Sequence, residues 1–250
     1  MPIQDNPLFP NATTPGSLRR WLRHGARTVS ARPLFHGWLS VCALVPLAFV
    51  LRWWPPIGWM VGLAIAPVFL AIPWTAANRA ATGAVLPVWC VLDPWYAPML
   101  RRKLLVLGGF LAVLGVVAFG LQLSVVGAGA ILLAGGTGAD GGWVLWLTWV
   151  TLVATILLTI VLGVMGFMVA IPLTVQRPVP TLHAMGASIA VARRRTREAA
   201  AFAGLYLLLP VLAVPTLGLS LLLGFPVVSL ALYEATREWF PVPDTQPPTR

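Results

Sequence analysis

Most apolar positions along this chain fall in long unbroken blocks, without the two-residue alternation of strands. The blocks lie at about 34–51, 57–76, 104–133, 143–174, 198–213 and 216–236. A helix crossing a ~30 Å hydrocarbon core needs ~20 mostly apolar residues. The pattern therefore predicts an all-α polytopic membrane helix bundle of about six spans. The first two blocks are separated by Arg52-Trp53-Trp54-Pro55-Pro56 and the last two by Val214-Pro215-Thr216. Both pairs read as helical hairpins, the first with tryptophans at the water interface. Gly135-Gly136-Thr137-Gly138-Ala139-Asp140-Gly141-Gly142 reads as a flexible loop before Trp143. The third and fourth blocks are too long for simple crossings, since ~30 helical residues reach ~45 Å. A break or kink near Gln122–Ser124 is expected in the third, and protrusion of the fourth. The chain divides into a basic amphipathic segment (1–33), a six-span domain (34–238) and a Pro-rich tail (239–250).

Composition strengthens this picture. Hydrophobic residues make up 58% and charged residues 10%, against ~25% charge in soluble globular chains. Seventeen basic residues face seven acidic ones. With six spans, the side that holds both termini carries Arg19, Arg20, Arg23, Arg27, Arg32, Arg79, Arg101, Arg102, Lys103, Arg177, Arg193, Arg194, Arg195, Arg197, Arg237 and Arg250, and the other side only Arg52. The positive-inside rule then places both termini in the cytoplasm. No secretory signal peptide and no lipidation signal is read.

The basic residues are clustered. Between Ser17 and Ser30, Leu18, Trp21, Leu22, Gly25 and Val29 share one helical face, and Arg19, Arg20, Arg23 and Arg27 take much of the rest. Pro15-Gly16-Ser17 supplies a start signal. This is the pattern of a helix lying in the membrane interface. Two connectors end in basic runs, Asn78 to Lys103 in Arg101-Arg102-Lys103, and Arg177 onward in Arg193-Arg194-Arg195-Thr196-Arg197. Thr181 to Ala192, carrying His183, reads as a short amphipathic helix. These clusters are candidate sites for anionic lipid, a protein partner or a second copy of the chain. A nucleic-acid role fits poorly, because no stacking platform or reading motif accompanies the arginines.

Candidate chemistry is sparse. His24, His36 and His183 lie in different segments without Cys or acidic residues at ligand spacing, so no metal site is expected. Cys42 and Cys90 make no disulfide framework. No phosphate loop exists, and Gly186-Ala187-Ser188-Ile189-Ala190 falls short of a nucleophile elbow. The expectation is a protein without cofactor or enzymatic chemistry. Glu234, with Arg237 and Glu238 close behind it, is read as a salt-bridged helix end or, more sharply, a transport carboxylate. In the fourth span Thr148, Thr151, Thr155, Thr159, Gly163, Gly166 and Ala170 trace one face at steps of three or four. That face is expected to pack tightly on neighbouring helices, with threonine hydroxyls returning to their own carbonyls. Gly58-xxx-Gly62-xxx-Ala66 and Gly108-xxx-Ala112 should do likewise. The second and sixth spans share a faint pattern that sets Pro67 on Pro226 and Trp74 on Tyr233.

Pro33-Leu34-Phe35-His36-Gly37-Trp38, then Pro56-Ile57-Gly58 and Pro67, give the stretch from Trp21 to Lys103 a recognisable cast. So do Ala187-Ser188 before the arginine cluster, Leu217-Gly218, Pro226 and Tyr233 near the end. With these marks the chain resembles a family of bacterial inner-membrane proteins of unknown function with about six spans. That family is loosely similar to membrane domains fused to glycerophosphodiester phosphodiesterases. The resemblance implies fold and inner-membrane location, and brings no catalytic residue. The functional expectation is a structural or interaction component whose basic face holds anionic lipid or a partner. The alternative is a small permease or exporter of a lipophilic or weakly polar solute.

Overall fold

The structure, a computed structural model, describes residues 18–52, 57–84, 86–134 and 141–240, with the backbone alone at residues 141, 160 and 164. Residues 53–56 of the first turn, residues 135–140 of the glycine loop, the start signal at Pro15-Gly16-Ser17 and the tail with Arg250 lie outside the described residues, while Arg52 ends α2 and Gly141 and Gly142 of the expected loop are already helical. The described chain is helical throughout: α1 (Leu18–Ala31), α2 (Pro33–Arg52), α3 (Ile57–Leu70), α4 (Ile72–Ala81), a 3₁₀ turn (Val88–Leu92), α5 (Asp93–Tyr96), α6 (Pro98–Ala134), α7 (Gly141–Phe167), α8 (Ala170–Gln176), α9 (Thr181–Arg194), α10 (Thr196–Ala213), a π-helical stretch (Ser220–Gly224) and α11 (Phe225–Trp239). Among the described residues, five helical runs are long and apolar enough to cross a membrane: Pro33–Arg52, Ile57–Ala81, Pro98–Ala134, Gly142–Gln176 and Thr196–Ala213. The fold is that of a multi-pass membrane protein.

The sixth apolar block differs from the other five. Its outer part is the π-helical stretch, and α11 buries 11 of its 15 residues. That makes α11 the centre of the molecule instead of a lipid-facing span. Around it the buried side chains gather at one end of the bundle, where α1, α4, α8, α9 and the last turns of α11 meet. We call this the charged end. Away from it, α6 and α7 expose most of their large apolar residues, as spans facing lipid do.

Two of the helix breaks sit at prolines, whereas Pro46, Pro67 and Pro210 lie inside continuous helices. Pro73 and Pro172 have no N–H to give to the carbonyls of Phe69 and Met168. The helix is interrupted at Ala71 and at Met168–Val169 accordingly. Pro226 likewise leaves the Leu222 carbonyl free inside the π-helical stretch. Buried polar groups satisfy what these breaks release. The Ser188 hydroxyl accepts from the Val169 N–H at 3.2 Å, and the Ser40 hydroxyl reaches the Leu222 carbonyl at 2.9 Å. The break thus falls in the fourth apolar block and not the third. No break occurs near Gln122–Ser124: α6 runs as one helix for 37 residues. It has no internal proline after Pro98, and the Ser124 hydroxyl closes on its own helix at Gly120.

These breaks expose a repeated design. Ala71-Ile72-Pro73-Trp74-Thr75 and Ala170-Ile171-Pro172-Leu173-Thr174 begin α4 and α8 with the same residues at four of five places. Each of the three helices running toward the charged end (α3–α4, α7–α8 and α11) ends in a segment, here called its tip, with a buried stretch: 72–76 in α4, 170–174 in α8 and most of α11. The short helix after it in the chain covers that tip: the 3₁₀ turn and α5 on α4, and α9 on α8. The tip of α11 is covered by α1, from the other end of the chain, so the arrangement closes into a ring.

The α1–α11 contact corrects one expectation. α1 runs antiparallel to α11, and Trp21, Gly25 and Val29 are buried against protein. A Cβ on Gly25 would stand 2.5 Å from the Val227 carbonyl oxygen, so only glycine allows this approach. The apolar face was legible, but an apolar stripe suits a protein surface as well as a lipid one.

The small-residue faces divide. At Gly108 the backbones of α6 and α3 touch: a Cβ there would lie 1.7 Å from the Ala64 carbonyl oxygen. Gly129 of α6 meets Thr148 of α7 in the same manner, with a Cβ 2.4 Å from Thr148 Oγ1. The hydroxyls of Thr148, Thr155 and Thr159 return to Val144, Thr151 and Thr155 at 2.8 Å. Gly163 and Gly166, however, have nothing within 4 Å of a Cβ position. These two glycines therefore make no close helix contact of the kind seen at Gly108.

Candidate functional site

The tips of α4, α8 and α11 bring polar side chains together at the charged end, beside α1. Trp21 lies between Phe202 (ring centroids 6.1 Å, stacked) and Trp239 (5.5 Å, edge to face). Burying an indole removes about 150–250 Å² from water, or about 4–6 kcal/mol at ~25 cal/mol per Å². The Trp21 indole N–H donates to Glu238 at 2.8 Å, and Arg20 pairs with the same carboxylate at 2.5 Å. Arg20 is 60% exposed, and such a pair contributes no more than ~1 kcal/mol. Aromatic burial, then, holds α1 in place.

Beside this anchor opens a cavity of about 720 Å³. Its walls include Asn78 of α4, Gln176 of α8, Arg177, Tyr233 and Glu234 of α11, and His24 of α1. Cross-helix hydrogen bonds fix them. The Tyr233 hydroxyl donates to Asn78 Oδ1 at 3.1 Å, and the Gln176 amide donates to the Tyr233 carbonyl at 3.1 Å. The Arg177 guanidinium donates to the Phe240 carbonyl, and its burial pulls its pKa below the ordinary arginine value. Glu234 stands 3.7 Å from both His24 and Arg237. A carboxylate between two basic groups at the rim is a salt-bridged helix end, the plainer of the two readings of this residue. Among the described residues no group of three His, Cys, Asp or Glu side chains could hold a metal.

No family model, curated protein or solved structure matches this chain. The site must be read from its own geometry.

The basic candidates gather at the charged end with unequal roles. Arg19, Arg23 and Arg27 are exposed on the outer face of α1, while Arg20 is taken up by Glu238. Arg101 and Arg102 are exposed at the start of α6 and Lys103 is half-buried; Arg193, Arg194 and Arg197 are exposed around the α9–α10 junction. Arg195 departs from the expected lipid-facing set. It is 8% exposed, with its guanidinium 5.9 Å from the Trp239 ring centroid and 3.9 Å from Glu198. This cation braces the core, because the turn between α9 and α10 directs it inward.

Sequence reasoning passed over Asn78, Gln176, Arg177 and Tyr233 as a group. The available signal was the shared Ala-Ile-Pro start, which places Asn78 and Arg177 at the same offset along α4 and α8. Asp93, at the start of α5, is paired with Arg79 of α4, which lies 2.5 Å from it. Burial raises the Asp93 pKa, and Arg79 opposes that rise. A raised carboxyl pKa means that the folded state binds the proton more tightly than the unfolded one, so stability declines as pH rises through that interval. Arg79→Met removes the opposing charge and moves the interval upward. The variant is expected to lose more stability at pH 8 than at pH 5, read by thermal unfolding in detergent at both values.

Proposed function

We propose that this chain is a structural or interaction component of a bacterial inner membrane, with both termini cytoplasmic. Its charged end holds anionic lipid or the acidic surface of a protein partner. The observation that carries the reading is the docking of α1. Its apolar face is spent on α11, and Arg19, Arg23 and Arg27 are thereby presented outward from a fixed helix. Anionic head groups attract such cations by about 1 kcal/mol per residue near the surface. The sixteen-to-one arginine and lysine asymmetry read from the sequence supports a cytoplasmic charged end.

The permease reading draws little support from Glu234, which sits at the rim among basic groups. Glu234→Gln should accordingly leave any solute flux in reconstituted vesicles unchanged. The leading reading is tested by Arg19→Glu/Arg23→Glu/Arg27→Glu, compared with the parent after extraction into native nanodiscs. Loss of co-purifying anionic phospholipid or of a stoichiometric partner, with helicity retained, is expected. An unchanged set of lipids and proteins would remove the role assigned to α1.

A further inference from the structure

The ring of repeats has one seam where the neighbouring long helices are not packed together, and we infer that a single anionic phospholipid occupies it. In the other two repeats the outward helix packs on the preceding inward helix: α6 lies along α3, and α2 lies along the π-helical stretch before α11. The equivalent partners α7 and α10 instead border a groove of about 610 Å³, within the ~300–1,000 Å³ of small-molecule sites. One wall is Val161 and Met165 of α7, and the other is Ala199, Ala203 and Gly204 of α10. The small residues on α10 open the space, and the flexible methionine suits a chain of variable shape.

Length and charge identify the occupant. Along α10 the groove runs from Thr196 to Leu207, about 16 Å at ~1.5 Å per residue. That is about half of a ~30 Å hydrocarbon core, the depth of one leaflet. Arg193, exposed at the end of α9, lines the mouth at the charged end. An acyl chain thus meets an apolar slot while its phosphate meets a guanidinium, a geometry suited to charge-assisted hydrogen bonds. The occupant is accordingly a phospholipid of the charged-end leaflet, with a net negative head group favoured over a zwitterionic one. This inference rests on the orientation and lipid-holding role proposed above, and adds the place and the chemical class.

The test uses the full chain in phosphatidylcholine nanodiscs doped with phosphatidylglycerol or phosphatidylcholine carrying a photoactivatable acyl chain. Cross-linked peptides are mapped by mass spectrometry. Cross-links are expected on α7 at Val161–Met165 and on α10 at Ala199–Leu207. The anionic probe should exceed the zwitterionic one about fivefold, equivalent to ~1 kcal/mol for one basic residue near an anionic head group. Arg193→Glu should erase that preference. Gly204→Phe should empty the groove without unfolding the bundle, because nothing lies within 4 Å of a Cβ at Gly204. Groove cross-links that are absent, equal for both probes or unaffected by Arg193→Glu overturn the inference. So does efficient disulfide linkage between two copies carrying Ala203→Cys, which would make the seam a homodimer contact. Anionic enrichment at α1 peptides with none in the groove would refute this site and leave the broader proposal standing; loss at both would refute both.

Discussion

Gly108→Leu is expected to abolish the native bundle. At this position α6 and α3 are in backbone contact, and even a methyl group would overlap the Ala64 carbonyl at 1.7 Å. Inserted carbon in a packed core costs about 1–3 kcal/mol when neighbouring side chains can move aside. Here the obstacle is a helix carbonyl, which shifts only if the whole of α3 moves. The penalty should reach or exceed the upper end of that range, a large part of the ~5–15 kcal/mol that holds a folded domain together. Size-exclusion profiles in mild detergent should change from a single species to aggregate, and Gly108→Ala should fall between the two. Gly109→Ala is the internal control. With nothing within 4 Å of its Cβ position, it should be neutral or gain up to ~1 kcal/mol of helix propensity.

Gly25→Val is expected to release α1 from α11 while sparing the spans. The added side chain would meet the Val227 carbonyl oxygen at 2.5 Å and the Ala231 amide nitrogen at 3.3 Å. Separating the helices uncovers Trp21 and pulls Arg20 from Glu238. The loss should approach the ~4–6 kcal/mol of indole burial, which an isolated 14-residue helix cannot recover by itself. Hydrogen exchange across Leu18–Ala31 should rise more than tenfold, consistent with losing over ~1.4 kcal/mol of protection, while α6 stays as in the parent. Gly37→Ala, with open space at its Cβ position, should leave exchange unchanged.

These two glycines show where the sequence was informative and where it was not. Long apolar blocks reported their helices directly, since a lipid-facing helix needs no partner to be recognised. α9 was equally clear, because Ala184, Ala187 and Val191 recur at helical spacing on its buried face. Gly108 and Gly163 look alike as sequence, each in a small-residue series, yet only the first lies under a neighbouring backbone. The difference depends on which neighbouring helix each glycine faces, and a small-residue spacing does not state that. The docking of α1 was illegible for a related reason: Trp21 and Glu238 are 217 residues apart. Arg195 looked like any member of its run. Its inward turn follows from the break between α9 and α10, which a row of arginines does not announce.

The account depends on which side of the membrane the charged end occupies, and cysteine accessibility in intact cells reads that directly. With Cys42 and Cys90 replaced by serine, single cysteines are placed at Thr82, exposed at the charged end, and at Gly142, exposed at the far end of α7. A membrane-impermeant maleimide should label the Gly142 position in intact spheroplasts and reach the Thr82 position only after permeabilisation. Labelling of the Thr82 position in sealed spheroplasts would put the arginines outside and contradict both the orientation and the lipid sites built on it.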